Sequence, residues 1–134
     1  MTIAVDFDGT IVENKYPEIG DERDFATDTL KMLIKERHQL ILWTCREGKL
    51  LDDALAWCRE RGVEFYAVNR DYPEETFDNN PVFSRKLKAD LFIDDRNIGG
   101  LPDWGDIYQM ITHKTGPNPK EEHLRKPKKH WWQF

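Results

Sequence analysis

Short apolar runs alternate along this chain with segments of helical periodicity, and that alternation restricts the fold more than any other feature. The runs are Thr2 to Phe7, Gln39 to Thr44, Phe65 to Val68 and Ala89 to Ile93. After the first run, Ala26, Leu30, Leu33 and Ile34 fall at i, i+4, i+7 and i+8, one face of a helix starting near Asp24. After the second, Leu51, Ala54, Leu55 and Cys58 face inward from a helix of about Glu47 to Arg61, with Gly62 placed as its C′ cap. A short last helix is predicted near Asp106 to Thr112. Strands alternating with helices predict an α/β fold, a single Rossmann-like domain whose parallel sheet is flanked by helices. At 134 residues the chain can bury one real core and has no room for a second.

The polar residues that close these runs carry the chemical signal. Asp6-Phe7-Asp8-Gly9-Thr10 follows Ile3-Ala4-Val5, Thr44 follows Leu40-Ile41-Leu42-Trp43, Lys86 precedes the last run, and Asp94-Asp95 ends it. On a strand, residues i and i+2 point the same way, so Asp6 and Asp8 can face one bound cation. Taken alone, Asp-x-Asp-Gly also reads as a turn, because both residue types supply turn geometry. Parallel sheets of this kind bind ligands beyond the carboxyl ends of their strands, where these residues fall.

In that order the residues closely resemble the four motifs of the haloacid dehalogenase-like phosphohydrolase superfamily, and they cover residues 3–95. Those motifs are Asp-x-Asp on the first strand, Thr or Ser ending the second, Lys beyond the third and an acidic pair ending the fourth. The resemblance implies a phosphatase, a magnesium-dependent phosphomonoester hydrolase that works through an aspartyl-phosphate. Asp6 suits the nucleophile and Asp8 the general acid, a division that asks for a raised pKa at Asp8 and an Asp6 held ionised by a cation. Magnesium is hard and oxygen-seeking; Asp6, the Asp8 carbonyl, Asp94 and Asp95 would supply its protein ligands. By resemblance Asp95 is favoured as the direct ligand, with Asp94 on a metal water or on Lys86.

Thr44 can donate its hydroxyl to a phosphate oxygen, joined by backbone N–H groups at Gly9 and in the loop after it, where Cys45 lies. It also reads as a helix cap before Glu47. Lys86 would offset the phosphoryl charge; Lys88 competes by composition, and the family spacing of eight residues before Asp94 selects Lys86. Arg46 is expected to overhang the site and bind phosphate or a substrate carboxylate, its alternative being exposure without a role. Asn69, ending the third strand, can likewise reach substrate. Family members often insert a cap domain after the first or the third strand. Here the first connection offers one helix and a loop from Glu13 to Arg23, and the second only a Pro-, Asn- and Asp-rich loop, so the resemblance is to a capless member.

Composition bounds the remaining readings. No apolar run approaches the roughly 20 residues of a membrane span, and the N-terminus lacks a signal-peptide pattern, so a cytoplasmic protein is expected. Cys45 and Cys58 are too few for a disulfide scaffold. Residues 1–112 are expected to form the catalytic domain and 113–134 an extension. Net charge is -5, yet the extension carries +4 against -9 for the rest, with three prolines and a Trp131-Trp132-Gln133-Phe134 end. Such a tail can dock on the body or on a neighbouring subunit of a homo-oligomer, close over the site, or touch nucleic acid, which nothing else supports. The expected partner is a phosphorylated small-molecule substrate, whose identity no residue selects. Two rivals remain: a catalytically silent binding module of the same fold, and a receiver-type phosphoacceptor domain, in which the acidic pair would come first rather than last.

Overall fold

A computed structural model describes residues 1–73 and 87–114 of the 134. Lys86 and the extension beyond Lys114 lie outside them.

The central strand, β1 (Thr2–Val5), runs through the core with Ile3, Ala4 and Val5 fully buried. A strand buried on both faces needs a continuous apolar run, which this segment supplies. It pairs in parallel with β4 (Gln39–Leu42) on one side and with β6 (Leu91–Ile93) on the other. β5 (Ala67–Val68) adds to the outer edge of β4, so the sheet order is β5-β4-β1-β6. All four strands are shorter than the sequence predicts. The ladder nonetheless continues past them, with Asp6 N–H donating to the Ile93 carbonyl (3.0 Å) and Trp43 N–H to the Val5 carbonyl (2.9 Å).

Successive residues of β1 face opposite sides. Ile3 and Val5 share a core with Leu30 and Leu33 of α1 (Ala26–Lys35), Ala54 and Cys58 of α2 (Gly48–Glu60), and Trp104, Ile107 and Ile111 of α3 (Trp104–Lys114). Ala4 belongs to a second cluster with Ile41, Ala67 and Leu87. No helix among the described residues is long and apolar enough to cross a membrane.

The helix ends explain their own boundaries. α1 starts two residues later than predicted, because Phe25 occupies the left-handed region (φ 66°) and offers no side-chain cap. Glu22 caps it instead: its Oε2 accepts the Thr27 N–H (2.9 Å) and hydroxyl (2.6 Å). At the other end Arg37 (φ 72°) donates to the Ile34 carbonyl and His38 to the Leu33 carbonyl, a Schellman closure without glycine. α2 ends the same way, with Gly62 (φ 86°) at C′ as its sequence predicts. α3 begins at Trp104 and passes the predicted domain boundary at residue 112, ending at Lys114.

One element departs from the sequence reading. The Glu13 to Arg23 segment, expected to be a loop, is an antiparallel hairpin of β2 (Val12–Lys15) and β3 (Glu18–Glu22). Its strands leave most side chains in solvent, so it lacks the apolar run that marks the others. Gly20 is required there: a Cβ would sit 2.2 Å from the Glu13 carbonyl oxygen.

Candidate active site

The strand order changes direction at β1, with β4 and β5 on one side and β6 on the other. Crevices at such points bind ligands in doubly wound sheets, because the loops leaving the two neighbouring strands diverge there. Here those loops are Asp6–Thr10 after β1 and Asp94–Arg96 after β6.

The carboxylates of Asp6, Asp94 and Asp95 converge, each offering an oxygen within 4.8 Å of the others. Burial, followed by the charges of Asp94 and Asp95, pushes the Asp6 carboxyl up from 3.8 to about 7; the Phe7 backbone and the Thr10 hydroxyl oppose this. Holding Asp6 ionised, as the sequence reading requires, therefore calls for positive charge among these carboxylates. Three hard oxygen donors from two loops suit a magnesium-like cation. Asp94 and Asp95 both belong to the cluster, and the geometry does not choose between them as direct ligand.

Thr10, fully buried, joins the two loops. Its hydroxyl accepts the Asp95 N–H at 3.0 Å, and its single proton has Asp6 Oδ2 at 3.2 Å and Asp95 Oδ1 at 3.4 Å as acceptors. Its carbonyl in turn accepts the buried Trp104 indole N–H (3.0 Å), which fixes the loop on α3. Gly9 (φ 86°) lets the loops meet, since a Cβ there would lie 2.4 Å from Asp95 Oδ2. Gly9 was expected to lend its N–H to phosphate. Instead that group donates to the Val12 carbonyl (2.8 Å) and starts the hairpin.

Thr44 stands just past the end of β4 and is half-buried. Its oxygen accepts the Arg46 N–H (3.1 Å), which leaves the hydroxyl proton to be donated, while its own N–H is held by Asn69 Oδ1 (2.8 Å). Asn69, in the left-handed region (φ 56°), thus orients the Thr44 loop through its side-chain oxygen. Cys45 is exposed in that loop.

Arg46 is the clearest correction. It does not overhang the site: its side chain is 1% exposed and forms a bidentate pair with Asp8, Nε to Oδ2 at 2.7 Å and Nη2 to Oδ1 at 2.8 Å. Nη2 also donates to the Glu18 carbonyl of the hairpin (3.1 Å) and Nη1 to the Leu50 carbonyl of α2 (3.3 Å). The guanidinium lies 5.2 Å from the Phe7 ring centre and 5.2 Å from that of Tyr16. It therefore serves Asp8, the hairpin and α2. Asp8 is 15% exposed, with both of its oxygens engaged by the fork.

Lys86 lies outside the described residues; its competitor Lys88 is exposed and anchors its backbone N–H on Asp71 Oδ1 (2.6 Å). The sequence reading undervalued Thr10 and missed Trp104. Thr10 carried a signal, as part of the first acidic motif; Trp104 carried none.

No protein-family model and no curated protein matches the chain. A solved structure, described as that of the conserved protein coded by locus from Bacteroides thetaiotaomicron, is 67% identical to it. The match covers 87% of this chain and 93% of that one, with a TM-score of 0.78. The chain therefore belongs to the same family as that conserved Bacteroides protein.

Proposed function

We propose that this protein is a magnesium-dependent phosphomonoester hydrolase of the haloacid dehalogenase-like type, acting through an aspartyl-phosphate. The observation that carries the reading is the convergence of Asp6, Asp94 and Asp95 at the point where the strand order reverses, with Thr44 at the end of the adjoining strand. Asp6, Asp94 and Asp95 would hold the cation, which supplies positive charge against the phosphoryl oxygens.

Asp6 Oδ attacks phosphorus as the bond from phosphorus to the ester oxygen breaks, and Asp8 gives its proton to the departing alcohol. Water then attacks the same phosphorus, passing a proton back to Asp8 as the Asp6 oxygen leaves. Thr44 donates its hydroxyl to a phosphoryl oxygen, and the Thr10 hydroxyl keeps Asp6 in register with the Asp95 loop. Lys86 is assigned the balancing ammonium on motif spacing alone.

The described residues around the site offer the hairpin and few other groups to a small substrate, so binding energy beyond the phosphate is modest. Weak, broad activity on small phosphomonoesters is expected. A panel of phosphorylated metabolites assayed for released phosphate, with magnesium and with chelator, tests the reading. A panel inert under both conditions would overturn it.

A further inference from the structure

We infer that Arg46 is a positioning residue that ties Asp8 to the β2–β3 hairpin, so that the hairpin sets the aim of the proton-transferring carboxyl. The inference rests on the phosphatase reading above. Arg46 is 1% exposed, and its guanidinium donates twice to Asp8, once to the hairpin at Glu18 and once to α2 at Leu50. A planar fork accepts a carboxylate in one orientation, and a lysine ammonium imposes none. The hairpin holds the fork in two ways, through the Glu18 carbonyl and through the Tyr16 ring. A shift of the hairpin against α2 therefore turns the guanidinium, and Asp8 with it. Because the hairpin starts at Val12, close after Asp8 in sequence, a substrate group seated against it is read directly at the proton donor.

The chemistry gives this a distinct signature. In transfer to Asp6 the phosphorus–ester oxygen bond breaks and that oxygen takes the Asp8 proton. An alkoxide leaving group needs the proton, whereas 4-nitrophenolate departs without it. The quantity to measure is kcat/KM, which reports the steps through transfer, for glycerol 2-phosphate and for 4-nitrophenyl phosphate with magnesium. Arg46→Lys is expected to lower the ratio of the first value to the second by about tenfold or more, out of the ~100-fold or more that a general acid contributes. Tyr16→Leu should lower it in the same direction by a smaller factor. Tyr16 is 54% exposed, so this variant decides the matter if Arg46→Lys does not fold. Hydrogen exchange should also quicken at hairpin amides of either variant and stay unchanged in α1. Equal losses on both esters, or an unchanged ratio in the variant that folds, overturn the inference and leave the phosphatase reading standing. A parent protein inert toward both esters overturns that reading, and the inference falls with it.

Discussion

Thr10 has one hydroxyl proton and two carboxylates competing for it, while its oxygen already accepts the Asp95 N–H. A buried group in that position does more than fill space, since it fixes the distance between the two loops that supply the acidic cluster. Thr10→Val keeps the volume and removes the acceptor. Leaving the Asp95 N–H unsatisfied is expected to cost about 1–3 kcal/mol. Urea unfolding of the variant would measure that cost, and a magnesium titration should show weaker binding. Full stability with unchanged binding would mean that Thr10 is not the bridge described. Arg46 shows the limit of reasoning from residue type. Two residues past Thr44 it reads as a phosphate ligand; burial and the bidentate pair with Asp8 turn the same guanidinium inward.

At the scale of elements, the hairpin is the part whose placement links Arg46, Glu18 and Gly9. Gly20→Ala would press a Cβ against the Glu13 carbonyl, which is backbone and cannot yield locally. Faster hydrogen exchange across residues 12–22, with the central sheet still protected, is the expected result. Uniform protection would show that the two strands adapt to the methyl group. The sequence made the buried parallel strands and the helices α1 and α2 legible, because continuous apolar runs and a clear 3.6-residue period leave few alternatives. It hid the hairpin, whose strands face solvent at most positions and give the core only Val12 and part of Ile19. It also hid the start of α3. Trp104 was legible only as an apolar residue, and its bond to the Thr10 carbonyl depends on tertiary placement.

The whole molecule brings negative charge together at one end of the sheet. The Asp6 carboxyl is raised from 3.8 to about 7, so the stability it contributes is fully present below pH ~3.8 and is lost as pH rises through about 7. With chelator present, the melting temperature of the parent should therefore fall relative to Asp6→Asn between these values, by roughly a few degrees. Magnesium should restore it at pH 8. Parallel melting curves across that range would show that burial and the neighbouring carboxylates do not raise the Asp6 carboxyl.

The most direct test follows phosphorus. The parent protein and Asp6→Asn, incubated with 4-nitrophenyl phosphate and magnesium, are quenched in acid and digested. The parent should release phosphate and carry a phosphoryl group on the peptide containing Asp6, and the variant should do neither while remaining folded. Release by Asp6→Asn within a few-fold of the parent, after contaminating phosphatase is excluded, would contradict the assignment of Asp6 as the nucleophile.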